Sequence, residues 1–205
     1  MARRSMRNEI VEAALEQFHA HGYNAAGVKV ITDAAGVPKG SFYNHFDSKE
    51  ALAVEVLRHY GEGRLDSLAD PGVAPLARLR AHFERLRDEV VRLDFTRGCL
   101  IGNFGAEIAD HSDVIRDTVR HGFRQWADAI AGALSEAQRA GDLRADLDPG
   151  STARFLLDAW EGSLIRARAD RSADAFDSFF DLAFTTLLGA PRTCTERHDA
   201  PSPAP

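Results

Sequence analysis

Apolar residues recur three and four apart along nearly the whole chain, and no stretch alternates apolar with polar for the length of a strand. That periodicity predicts an all-α protein of about nine helices. A first helix over residues 5–21 would bury Ile10, Ala14 and Phe18 and stop at Gly22, which takes a left-handed cap at little cost. A short second helix is expected over residues 28–35. Gly36-Val37-Pro38 then turns the chain, because a residue before proline avoids the α region while proline suits the first position of a new helix. The third helix is expected over residues 38–46. Asp47 and Glu50 read as a capping box, Asp47 capping and Glu50 reaching back, which opens a fourth helix through Tyr60.

Past a loop with Pro71, Gly72 and Pro75, the residues Leu76, Leu79, Phe83, Leu86 and Val90 draw an amphipathic stripe for a fifth helix. A sixth, rich in small residues, is expected within residues 98–110. Ser112 would cap a long seventh helix carrying Ile115, Val119, Phe123, Trp126, Ile130 and Leu134 as far as Gly141. Asp148-Pro149 starts an eighth, and a ninth is expected over residues 172–189. Pro191 forbids further helix, and residues 191–205 carry four prolines and almost no large apolar residue, the composition of a disordered tail.

A chain of 205 residues can bury a substantial core without staples. Its two cysteines, Cys99 and Cys194, lie far apart among polar neighbours, which argues against a disulfide framework and for the reducing cytoplasm. No apolar run is long enough for a membrane span, and no apolar region follows the basic N-terminus, so neither a membrane partner nor a secretory signal is expected. The histidines form no ligand-spaced cluster with one another or with cysteine, so neither a metal nor another cofactor is expected. The first 50 residues balance six cations against six carboxylates, leaving the formal charge of −6 to the remainder. What matters for DNA is whether those cations share a face.

Two short helices joined by a three-residue turn, with a longer helix in front, match the helix-turn-helix unit, whose second helix enters the major groove. Phe42 and Phe46, four apart, would face inward together, while Lys39, Tyr43 and His45 project from other faces. Gly40 and Ser41 leave the helix start uncrowded for close approach to DNA, and Lys49 opens the next helix where it can meet a phosphate.

The stretch GYNAAGVKVITDAAGVPKGSFYNHFDSKEAL, Gly22 to Leu52, resembles the DNA-binding domain of the TetR family of bacterial repressors. The resemblance implies a three-helix DNA-binding domain over residues 1–50 and a helical effector-binding and dimerisation domain over residues 51–190. It also implies that Lys39, Gly40, Tyr43, Asn44 and His45 contact a double-stranded DNA operator, with Lys29 and Lys49 near phosphates. Gly27 stands where the family often has threonine, which removes a hydroxyl that could touch phosphate. Arg97-Gly98-Cys99-Leu100, continuing to Glu107, Asp110 and Ser112, is similar to the branch of that family containing the N-ethylmaleimide reductase repressor, where the matching cysteine senses electrophiles and oxidants. A thiol at a helix start two residues after Arg97 would have its thiolate favoured by the helix dipole and the cation. The other reading of Cys99 is a small buried hydrophobe, the commonest state of a free cysteine and the favoured one here. No lysine follows Lys49, so the lysine that cooperates with the cysteine in that branch has no counterpart.

An effector pocket is expected among helices five to eight, lined by Phe83, Leu86, Val90, Cys99, Asn103, Phe104, Glu107, Phe123, Trp126 and Trp160. Leu156, Leu164, Phe176, Phe180, Phe184 and Leu187 on the last two helices hold more apolar area than one internal face needs, and a four-helix bundle between the subunits of a homodimer would bury it. Together these features predict a ligand- or electrophile-responsive repressor of a palindromic operator and not an enzyme. The rival is a helical enzyme or small-molecule carrier with a merely structural N-terminal hairpin, in which Glu107, Asp110, Asp158 and Glu161 could do acid/base work. Against an enzyme, the chain shows no nucleophile spaced with a base and no glycine-rich phosphate loop.

Overall fold

The structure is a computed structural model that describes residues 5–189. Nine α-helices and no strand occur among the described residues: α1 (Met6–Ala25), α2 (Val28–Ala34), α3 (Lys39–Phe42), α4 (Lys49–Gly61), α5 (Pro75–Arg92), α6 (Leu100–Ile108), α7 (Asp113–Ala140), α8 (Pro149–Asp170) and α9 (Asp174–Phe180). The expected tail over residues 191–205, and Cys194 within it, lie outside the described residues.

Side-chain caps mark several helix starts. Ser5, Ser112 and Asp148 each accept the N–H three residues on, from Asn8, Ile115 and Ser151 respectively. Gly141 ends α7 in the left-handed region at φ 81°. The fourth helix departs from expectation, because Ser48, not Asp47, caps it by accepting the Ala51 N–H at 3.0 Å. Glu50 does not reach back; its carboxylate accepts the Ser112 hydroxyl and so ties α4 to the start of α7. Two further boundaries differ. Gly22 breaks α1 at φ 80° as expected, but a last half-turn follows it to Ala25. The third helix is regular only over Lys39–Phe42, and the bonds His45 N–H to Phe42 O and Phe46 N–H to Phe42 O carry the chain on as a turn.

In the N-terminal part, α1 and α2 bury Ile10, Ala14, Phe18 and Ile31 around Phe42 of α3. The α1 helix packs against α4 and α6, and α7 joins α4, α5, α6 and α8. One core therefore runs from the hairpin into the C-terminal helices. Beyond α9 the chain continues over Asp181–Leu187 as a wider π-type helix.

The expected dimer residues are mostly interior to the subunit itself. Leu156, Leu164, Phe176 and Phe180 are buried within one chain, and Phe184 and Leu187 pack half-buried against the same core. An aromatic cluster accounts for this: Trp160 stacks on Phe176 with centroids 5.0 Å apart, and Phe83 meets Phe179 at 5.0 Å. Along α8 and the π-type helix the large apolar residues left outward are Phe155, Ile165 and Leu182, each 61–68% exposed. A helix apolar on two faces does not say which face its own chain will cover.

Candidate DNA-binding surface and ligand cavity

Lys39, Gly40, Tyr43, Asn44 and His45 are all exposed and follow one another around α3 and its terminal turn. Tyr43 is 59% exposed while its ring leans edge-on against buried Phe42, 5.1 Å between centroids, so the phenol is braced and its hydroxyl remains free for solvent or DNA. Thr32 of α2 is buried with its hydroxyl donating to Val28 O and Lys29 O, and Val37 seals the turn beneath α3. Lys29 is exposed and paired with Asp33 one turn on. Arg7 of α1, not singled out in the sequence, pairs with Glu55 of α4 and sits 5.1 Å over the Phe46 ring, which fixes the turn after α3.

Lys49 is drawn away from this surface. Its ammonium donates to Tyr23 O at 2.9 Å and lies 4.0 Å from the centroid of the Tyr23 ring, and burial lowers its pKa. A long flexible stem let a nearby carbonyl and aromatic face capture a charge expected at a phosphate.

A cavity of about 590 Å³ opens between α4, α5, α6, α7 and α8. Of the expected lining residues, Leu86, Val90, Cys99, Trp126 and Trp160 form its wall; Leu164, expected at the dimer interface, lines it too. Five others do not. Phe83 is buried in the aromatic cluster, and Phe104 packs against Phe18 and Tyr23. Asn103 accepts from Arg168 at 2.9 Å, which ties α6 to α8. Phe123 is half-buried beside the core. Glu107 faces α1, where it accepts the N–H of Tyr23 at 2.8 Å and of Asn24 at 2.7 Å. Helical period identified the apolar faces but could not separate the cavity wall from solid core.

Much of the cavity's polar wall comes from residues that no motif singled out, Arg64, His82, Glu89 and His19 among them. Arg64 forms two bonds of 3.1 Å to Glu89 and stacks 3.9 Å from the Tyr60 ring centroid. Burial pushes the Tyr60 phenol far above its ordinary range. His19 donates from Nε2 to Gly98 O at 2.6 Å, so α1 touches the residue before the α6 cap.

At that cap the thiol follows the buried-hydrophobe reading and not that of a favoured thiolate. Arg97 is paired with Glu16 at 2.8 Å, Cys99 is buried, and burial followed by the nearby Glu161 carboxylate raises the thiol pKa well above normal. Glu161 is itself pushed up to about 7, chiefly by burial. Any side chain at residue 102 would collide with that carboxylate, so Gly102 admits α8 to the start of α6. Desolvation and an adjacent acid outweigh the dipole here.

The comparisons with known proteins decide the family. Residues 10–56 match the model for bacterial regulatory proteins of the tetR family, and residues 75–182 match that for the tetracyclin repressor-like C-terminal domain. The chain is 38% identical over 192 residues to the HTH-type transcriptional repressor DhaR of Mycobacterium sp. strain GP1, covering 92% of this chain and 95% of that one. The chain belongs to the TetR family. This TetR-family protein is also 36% identical to the transcriptional regulator AcuR of Cereibacter sphaeroides, over 83% of its own length and 80% of the relative's. A solved regulatory protein TetR from Rhodobacter sphaeroides superposes with a TM-score of 0.82 at 34% identity, covering 88% of this chain and 98% of that one. The repressor NemR of Escherichia coli is 29% identical over 77% of this chain and 81% of its own. Among the described residues of this TetR-family protein, no helix is long and apolar enough to cross a membrane.

Proposed function

We propose that the protein is a homodimeric transcriptional repressor that holds a palindromic operator through α3 and releases it when a small molecule fills the cavity. The observation that carries this reading is the shared framework of the two regions. His19 of α1 and Leu57 and Tyr60 of α4 line the cavity, while α6 grips α1 at both ends, through Gly98 with His19 and through Glu107 with Tyr23 and Asn24. A ligand that favours a different placement of α6 or α4 therefore moves the helices under the hairpin, and it shifts the equilibrium only by its differential affinity for the two arrangements.

Two recognition helices about 34–36 Å apart reach successive major grooves, which a single hairpin cannot do. The outward face of Phe155, Ile165 and Leu182 supports a second copy of this chain as the partner. Gly162 between the first two has open space around it, so another helix can approach the backbone closely.

Lys39, Gly40, Tyr43, Asn44 and His45 are assigned to DNA, with Lys29 beside a phosphate. The test is fluorescence anisotropy with the palindrome upstream of the protein's own gene, across a salt series. Lys39→Ala is expected to cost about 1–3 kcal/mol and relax sequence preference if it reads a base, or to weaken all sequences alike and flatten the salt slope by about one unit if it holds a phosphate. Unchanged operator affinity in a folded Lys39→Ala, Tyr43→Ala double variant rejects the assignment.

A further inference from the structure

The cavity wall contains one buried hydrogen-bond donor that has no partner among the described residues. His82 of α5 is 1% exposed and is part of the wall. The Trp126 indole N–H points at its Nε2 from 3.0 Å. An indole nitrogen can only donate, so Nε2 must be the bare, accepting nitrogen of the ring, and in a neutral imidazole the proton then sits on Nδ1. That Nδ1 is buried and has no hydrogen-bond partner among the described residues. Burial, reinforced by Arg85 and Arg64, holds the ring neutral by lowering its pKa to about 4. Trp126 thus fixes a tautomer with an unsatisfied Nδ1–H on a ring that lines the cavity together with apolar Leu86, Val90, Trp126 and Trp160.

Most charges of the wall are already paired, Glu62 with His59 and Asp117 with Arg120 among them, and Arg58 is exposed. Arg64 is held by Glu89 through two bonds, and Arg97 by Glu16. The unmet demand near the apolar wall is accordingly for an acceptor, not for an anion. We propose that the ligand of this cavity is an uncharged, largely apolar carbonyl compound whose oxygen accepts the Nδ1–H of His82. This inference rests on the cavity being a ligand site, as the proposed function has it, and adds the chemical class.

The test compares two molecules of the same shape, acetophenone and α-methylstyrene, which differ in C=O against C=CH2. Binding to the full-length dimeric protein is followed by quenching of tryptophan fluorescence. Wild type is expected to bind acetophenone about tenfold more tightly, the worth of one good buried hydrogen bond. His82→Phe keeps the ring volume and removes the donor, and the preference is expected to vanish through weaker acetophenone binding alone. Equal binding of the two by wild type, or a preference that survives in His82→Phe, overturns the proposal and gives the donor to a resident water. Long-range 15N–1H spectra of histidine-labelled protein give a second, variant-free measurement: a protonated Nδ1 with a bare Nε2 is expected, and the opposite tautomer overturns the argument. Operator release by acetophenone is scored separately, so that binding with the expected preference but without release leaves the ligand class standing and rejects only the effector reading.

Discussion

The Glu107 carboxylate of α6 accepts the backbone N–H of Tyr23 at 2.8 Å, where α1 has already been broken by Gly22. It accepts from Asn24 as well, so one side chain satisfies two donors that a helix break would otherwise leave open. A side chain at position 22 would meet this carboxylate at 2.7 Å, and φ of 80° would strain it besides. Glu107 and the glycine break therefore form one joint between the hairpin and the C-terminal helices.

Glu107→Ala is expected to destabilise the protein by about 1–3 kcal/mol through the two stranded donors. Amide hydrogen exchange at Tyr23 and Asn24 should accelerate while the middle of α7 stays protected. Glu107→Gln retains an acceptor and should fall between. Unaltered exchange at both amides in Glu107→Ala counts against the joint.

The proposed dimer surface separates outward from inward apolar residues. Phe155→Glu with Ile165→Glu should yield helical monomers by sedimentation that no longer hold the operator, since a charge buried unpaired between subunits costs several kcal/mol. Phe180→Glu, at a site buried within one chain, should instead lower thermal stability before it changes assembly. A dimer persisting in the Phe155, Ile165 double variant moves the interface to another face.

Partly buried Glu161 and buried His82 give opposite pH dependences. The folded Glu161 pKa of about 7 exceeds its ordinary 4.5, so the native state holds the extra proton between these values and its stability falls as pH rises through that window. His82, at about 4 against 6.5, is the reverse: the unfolded state holds the extra proton, and stability is lost as pH falls through the window. Relative to wild type, Glu161→Gln should therefore gain stability on going from pH 5 to pH 8, by an amount on the order of 1–3 kcal/mol. His82→Phe should lose less stability than wild type between pH 7 and pH 5. Urea titrations at the three pH values measure both, and parallel pH curves for wild type and Glu161→Gln rule out the buried acid.

Cys99 is expected to react slowly. In a Cys194→Ser background at pH 7.5, labelling of native protein by a disulfide reagent should be at least about tenfold slower than in urea, because each unit of raised pKa removes about tenfold of the thiolate. Glu161→Gln should speed the native reaction. A native rate equal to the unfolded one returns Cys99 to the reactive class.

Much of the protein was legible in its sequence. The helical class, the order of the helices and the turn Gly36-Val37-Pro38 follow from periodicity and from the fixed backbone preferences of glycine and proline, which act within a few residues and need no partner. The exposure of the proposed DNA contacts was legible for the same reason: α3 is so short that burying Phe42 and Phe46 leaves Lys39, Tyr43 and His45 outside. Where the sequence fell short, the competition was between distant groups. Ser48 took the cap from Asp47 while Glu50 turned to Ser112, 62 residues away. Tyr23 captured Lys49, and Glu161 with its surroundings reversed the expected acidity of Cys99. Leu156 and Phe180 were recognised as apolar, yet only the packing of α9 on α8 decided that they close one subunit's own core and leave Phe155 and Ile165 outward. The His82–Trp126 pair, 44 residues apart, has no sequence signal at all. Local backbone chemistry is written in consecutive residues, whereas burial, partner choice and acidity depend on which distant side chains arrive at the same place.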